Sequence, residues 1–212
     1  MGFLKGGPYY DLIGRTGNNV GRRVKGKNVF SMRPAKSSKR ATTAQLNQRI
    51  KFGLVTKWMS YALNIVQIGY QHYQSTGSSM NSAVKRALDL SIIGVAPNFA
   101  LNYPKLELSR GPLVGPYQYA VTSQGSNEID ITWGVGITSG KQSLTDKGVF
   151  FVFAPILGQF VELIAPATRG DLSYTAILPI EFSGEQIHVW MFFVNDLGDV
   201  VSRSEHRSVT VI

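Results

Sequence analysis

The sequence predicts an α+β protein: a basic N-terminal arm with a short hairpin, a helical hairpin, then an antiparallel immunoglobulin-like β-sandwich. Three observations lead there. Between Thr42 and Tyr73, apolar residues recur every three to four positions, the period of one face of an α-helix. From Leu106 onward the apolar runs shorten and are punctuated by Gly, Pro, Asn and Asp, as in strands joined by tight turns. The first 41 residues are rich in glycine and cations and hold no long apolar run. The expected divisions are 1–41, 42–95 and 105–212. At 212 residues, 43% hydrophobic and 17% charged, the chain is large and apolar enough to bury a core.

In the arm, Val20–Val24 and Val29–Met32 are short β-prone runs joined by Lys25-Gly26-Lys27-Asn28, which reads as a hairpin turn. Arg33-Pro34 ends the second run, because proline has no amide to give a ladder. Ala35 to Arg40 reads as a basic, hydroxyl-rich linker.

Thr42 or Thr43 can cap the long helix, the hydroxyl accepting from an unpaired first-turn amide. Leu46, Ile50, Leu54, Trp58, Ala62 and Val66 form one row, with Val55, Met59, Leu63 and Tyr70 beside it. So wide a stripe is either covered by its own domain or packed against a second copy of the chain. Leu54, Trp58, Met59 and Tyr70 are the candidate interface residues on the second reading. A loop over 75–79 leads to a shorter helix, Met80–Leu90, which makes a helical hairpin with the first.

Candidate strands follow at Lys105–Ser109, Tyr117–Thr122, Glu128–Trp133, Gly148–Phe153, Phe160–Leu163, Leu172–Leu178, Gln186–Val194, Val200–Arg203 and Ser208–Val211. Glu128 to Trp133 alternates polar and apolar, as a half-buried strand does. Short strands with turns at this spacing indicate a sandwich of immunoglobulin type.

The net charge of +9 is unevenly spread. Residues 1–60 hold thirteen Lys and Arg against Asp11 alone, and the remainder holds nine against twelve acidic residues. Arg15, Arg22, Arg23, Lys25, Lys27, Arg33, Lys36, Lys39 and Arg40 are therefore candidates for contact with nucleic-acid phosphates, or with a neighbouring subunit. Tyr9, Tyr10 and Phe30 are the nearby rings, too few for an interleaved single-strand platform. The glycines from Gly14 to Gly26 do not end in Gly-Lys-Ser/Thr, so a phosphate loop is not expected.

Signals for chemistry are sparse. His72, His188 and His206 are far apart in sequence without metal-ligand spacing, and each reads as structural or exposed. There is no His-Glu-x-x-His or Gly-x-Ser-x-Gly, and neither an enzyme nor a cofactor is expected. With no cysteine, disulfides and thiolate metal sites are excluded. The start carries no apolar run of signal-peptide length and no segment is long and apolar enough to span a bilayer, so a virion or cytoplasmic location without membrane insertion is expected.

Several local patterns recur together: Met1 to Gly7 (MGFLKGG), the glycines from Gly14 to Gly21, Thr43-Ala44-Gln45, Gln48-Arg49 and Lys51-Phe52. Further on come Ile68-Gly69-Tyr70, Ser109-Arg110-Gly111 and the closing stretch Asp196–Ser204. Together they resemble an uncharacterised bacterial family, a domain of unknown function of about this length common in Bacteroidetes and their mobile elements. The resemblance spans nearly the whole chain and implies no activity, ligand or catalytic residue. Arg22-Arg23 and the basic residues of Lys36–Arg40 depart from it. The functional expectation is a non-enzymatic structural subunit that assembles into a symmetric particle, a coat or virion component of phage or phage-like origin. The alternative is a sequence-tolerant nucleic-acid-binding protein of the host cell.

Overall fold

Two apolar runs, Val149–Ala154 and Val189–Val194, are buried at every residue. A strand can be apolar on both faces only if both faces are covered, and that requirement sets the architecture. The computed structural model describes residues 2–7, 9–35, 38–73, 77–125, 127–136 and 141–212. They form two compact units, Met1–Thr42 and Thr43–Ile212.

The smaller unit holds β1 (Gly2–Leu4), β2 (Gly14–Thr16), β3 (Asn19–Val24) and β4 (Lys27–Met32); in the larger unit, α1 (Thr43–Tyr61), α2 (Leu63–Gly69) and α3 (Ser79–Leu90) precede a hairpin of β5 (Ile92–Val95) and β6 (Asn98–Leu101). Then come β7 (Tyr117–Gly125), β8 (Glu128–Gly134), β9 (Lys147–Ala154), β10 (Gln159–Thr168), β11 (Ser173–Ile177), β12 (Gln186–Val194) and β13 (Glu205–Thr210). One antiparallel sheet has the order β10-β9-β12-β13 and a second the order β11-β8-β7. The chain passes from the small sheet to the large one, back through β11, and again to the large one. This is an immunoglobulin-like sandwich.

The sandwich is only half of the packing. Val149, Phe151 and Phe153 share a face with Trp190 and Phe192, and that face packs on Val55, Trp58, Met59, Ile65 and Val66 of the helices. The alternate residues Phe150, Val152, Met191 and Phe193 face Tyr119, Ile129, Ile131 and Trp133 of the small sheet. Helices, large sheet and small sheet are thus three layers around two cores. The expected boundary between 42–95 and 105–212 does not exist as a domain boundary, because one core contains residues of both.

This geometry corrects the interface reading of the helix. Trp58, Met59 and Tyr70 are 4%, 0% and 2% exposed and Leu54 is half-buried; the rest of the same chain, not a second copy, covers this part of the stripe. Trp58 sits 5.4 Å from Trp190 and 5.7 Å from Phe153, ring centre to ring centre. The expected single helix breaks at Ala62, just after Ser60, whose hydroxyl donates to the Lys57 carbonyl at 2.7 Å and competes with the helical ladder. In α3 the start is capped by Ser78, whose hydroxyl accepts from the Asn81 amide at 3.1 Å. Ser75 and Thr76 of the 75–79 loop lie outside the described residues.

Two expected strands are absent as such. Tyr103–Lys105 is a turn of 3-10 helix, and the segment after it is held by side chains instead of a ladder. Trp190 Nε1 donates to the Leu106 carbonyl at 3.0 Å, the Leu108 amide donates to Ser204 Oγ at 2.9 Å, and Ser109 Oγ donates to the Ser202 carbonyl at 2.6 Å. Val200–Arg203 contributes only isolated bridges, at Val201 and Ser202. Gly69 is required where the helices meet this segment: a Cβ there would lie 2.2 Å from the Leu108 carbonyl oxygen.

A buried ion pair ties the sandwich together at one end. Arg169, 0% exposed, donates Nε to Asp146 Oδ2 at 3.0 Å and Nη2 to the Val114 carbonyl at 2.7 Å. Its guanidinium carbon lies 3.9 Å from the ring centre of Phe193.

Because Trp58 fills the core between helices and sheet, Trp58→Ala is expected to lower unfolding free energy by about 3–5 kcal/mol, the usual cost of truncating a buried large aromatic. Chemical denaturation measures this. A loss below about 1 kcal/mol would show that the ring is not part of the folded core.

Candidate functional site

The smaller unit is a folded sheet, where the sequence predicted only an arm with one hairpin. β1 (Gly2–Leu4), β2 (Gly14–Thr16), β3 (Asn19–Val24) and β4 (Lys27–Met32) are antiparallel in the order β1-β4-β3-β2. The central hairpin closes through Lys25-Gly26, as Val24 pairs with Lys27. The outer strands have three residues each, too short to show a period in the sequence.

Register sorts the cations. Directly opposed residues of antiparallel strands share a face, and Arg15 opposes Val20, Arg22 opposes Val29, and Val24 opposes Lys27. Arg15, Arg22 and Lys27 therefore lie on one face, stepping diagonally across β2, β3 and β4 at about 7–8 Å per step, the diagonal spacing of a sheet. Phe3 opposes Val29 on the same face; it is 61% exposed, and Lys27 Nζ stands 5.7 Å from its ring centre.

The chain crosses back over the other face at Gly21. The Leu12 carbonyl oxygen lies 2.1 Å from where a Cβ of Gly21 would be, so only glycine admits this crossing. Tyr9 stacks on Phe30 at 6.3 Å. Two of the three expected rings are thus stacked on each other, the third, Tyr10, is 40% exposed, and Phe3 is a ring beside the cations that sequence distance concealed.

Arg23 belongs to the other face and is exposed, as are Lys25 in the turn, Arg33 after β4, and Lys39 and Arg40 beyond. Lys36 lies outside the described residues. Arg15 Nε donates to the Gly17 carbonyl at 3.2 Å and Arg22 Nη2 to Ser31 Oγ at 3.2 Å. Among the described residues, none of Arg15, Arg22, Arg23, Lys27 and Arg33 forms a salt bridge with a carboxylate.

The model of a family of unknown function, DUF6266, matches residues 11–207. The chain belongs to this family. No curated protein matches the chain. Among solved structures it is similar to the fibronectin type III domain of human contactin 1 at 12% identity, covering 49% of this chain and 81% of that one with a TM-score of 0.32. It is similar to the FN1–FN3 domains of chicken CNTN1 at 16% identity, covering 48% of this chain and 33% of that one with a TM-score of 0.32. A fibronectin type III domain of the human collagen alpha-1(XX) chain aligns at 16% identity over 46% of this chain and 82% of that one, with a TM-score of 0.28. In the DUF6266 chain, β2 to β13 begin within the matched residues, whereas β1 with Phe3 precedes them. Among the described residues no helix is long and apolar enough to cross a membrane.

The DUF6266 chain also brings together two histidines that sequence spacing separated. Pairing of β12 with β13 sets His188 Nδ1 2.9 Å from His206 Nε2. One ring donates and the other accepts, which needs both to be neutral or only one charged. Tyr103 lies 4.4 Å from His188 and Trp190 4.9 Å from His206, ring centre to ring centre. Burial pushes both imidazoles down; for His206 the neighbouring His188 and Arg207 add to it, and its pKa falls to about 4. His72 stays apart from the pair, in the 3-10 turn Gln71–Tyr73.

Nearby, the buried Glu107 accepts from Arg86 at 2.8 and 3.2 Å and also from Arg203. Burial works to raise its pKa, but the two guanidiniums more than reverse this, holding it below the ordinary glutamate range.

The sign of the histidine contribution follows from the depressed pKa. Below about 6.5 the unfolded chain takes up a proton that folded His206 refuses until about pH 4, so stability falls as the pH is lowered through that window. The expected loss for His206 is on the order of 2 kcal/mol between pH 6.5 and 4.5. His206→Gln should flatten this limb in pH-dependent denaturation. An unchanged slope in the variant would refute the role of the pair.

Proposed function

We propose that this chain is a non-enzymatic nucleic-acid-binding subunit: the open face of its N-terminal sheet holds phosphates, and the three-layer unit is its scaffold. One observation carries the reading. Met1–Thr42 contains ten Lys and Arg against Asp11 alone, while Thr43–Ile212 contains twelve basic and twelve acidic residues. The whole formal charge of +9 therefore belongs to the smaller unit. A diagonal of three cations beside an exposed ring suits single-stranded nucleic acid, in which phosphates meet cations and a base stacks on the ring. No side-chain pattern for reading base edges accompanies it, so binding is sequence-tolerant.

The test is fluorescence anisotropy with random-sequence oligonucleotides at several salt concentrations. Replacing Arg15, Arg22 and Lys27 together by Gln should flatten the log–log salt slope by about 2–3, at about 0.7–0.9 per lost phosphate contact. Phe3→Ala should cost about 1–3 kcal/mol on single strands and much less on duplex. Wild-type protein without salt-dependent binding would end this reading.

A second reading, a structural subunit of a symmetric virion-like particle, keeps one observation in its favour. Leu46 and Ile50, one helical turn apart on α1, are 48% and 42% exposed, and Phe52 is 52% exposed. Exposed apolar rows of this kind mark self-association surfaces. Light scattering should then show a defined oligomer that Leu46→Lys with Ile50→Lys dissociates. A monodisperse wild-type monomer at micromolar concentration would remove the assembly reading.

A further inference from the structure

The larger unit, neutral as a whole, has a cavity of about 580 Å³ whose walls are locally positive. That size is within the range of small-molecule sites. One wall is a single face of α3, where Asn81, Ser82, Lys85, Arg86 and Asp89 follow at helical spacing. The opposite wall holds Arg110 with the rings of Tyr70 and Tyr73. Arg110 is set there by its backbone, whose amide donates to the Gly69 carbonyl at 3.0 Å.

The charge of the lining can be counted. Of the lining residues, Lys85, Arg86 and Arg110 are cationic and Asp89 is acidic; Arg86 also meets Glu107, which Arg203 shares from outside the lining. Lys85 and Arg110 form no salt bridge among the described residues, and Asp89 offsets one of them. The excess is about two positive charges, matching a phosphomonoester, which carries about −1.5 to −2 at neutral pH. Asn81 and Ser82 add neutral donors for the remaining oxygens, and the tyrosine rings supply an apolar wall for the esterified group.

We infer that this cavity between α3 and Arg110 binds a small phosphomonoester, independently of the basic N-terminal sheet. Lys85 and Arg110 hold the phosphate. Arg86 is a positioning residue, fixed by Glu107 at two of its nitrogens.

Phenyl phosphate is the probe, with phenol as its uncharged control, titrated at constant ionic strength into the whole chain. The readout is the backbone amide resonances in NMR. Saturable shifts centred on Ser82, Lys85 and Arg110 are expected with phenyl phosphate and not with phenol. Lys85→Gln combined with Arg110→Gln, both at exposed positions, should weaken binding at least tenfold without changing the melting temperature. The combined Arg15, Arg22 and Lys27 to Gln variant should bind as wild type does. Non-saturable shifts, equal affinity in the cavity variant, or loss of binding in the sheet variant would each overturn the assignment.

Discussion

The architecture depends on the pairing of β9 with β12, two strands apolar on both sides. Alternation sends Phe151 and Trp190 one way and Phe150 and Met191 the other. Neither face can be left to water: burying apolar surface gains about 25 cal/mol per Å², and each of these side chains exposes a large area if uncovered. The small sheet takes one face and the helical hairpin the other. The helices are therefore part of the fold's core and not an appendage to a sandwich.

Much of this was legible in the sequence, for identifiable reasons. The strands of the sandwich are bounded by turn residues, and their positions followed from that punctuation. The second covered face was written into Val149–Ala154 and Val189–Val194, because a two-layer sandwich would have alternated polar with apolar there. A stripe as wide as that around Trp58 says only that something covers it; the unbroken runs a hundred residues later say what. Lys105–Ser109 misled because its apolar alternation reflects burial against Trp190 and the Ser202–Ser204 segment, without a partner strand.

Of the candidate site, the charge was legible and the geometry was not. The cations can be counted from the sequence, but which face each occupies depends on the register of three short strands. A shift of one residue would exchange the faces that Arg22 and Arg23 occupy. Phe3 and Lys27, and likewise His188 and His206, are neighbours only through strand pairing, which no local pattern encodes. The cationic cavity is assembled from α3, the turn after α2 and the residue following Ser109, three stretches with no shared motif.

The Arg169–Asp146 pair bears on the history open to the family. A guanidinium stays charged in protein interiors, so replacing Asp146 alone would strand a full charge at a site sealed from solvent, and replacing Arg169 alone would strand the carboxylate. Exchanging both for apolar residues of similar volume is often neutral or stabilising, yet every single-step route to that exchange passes through a badly destabilised intermediate. The two positions are thus expected to travel through descent as one character, retained or lost together, whatever drift takes place on the surfaces around them.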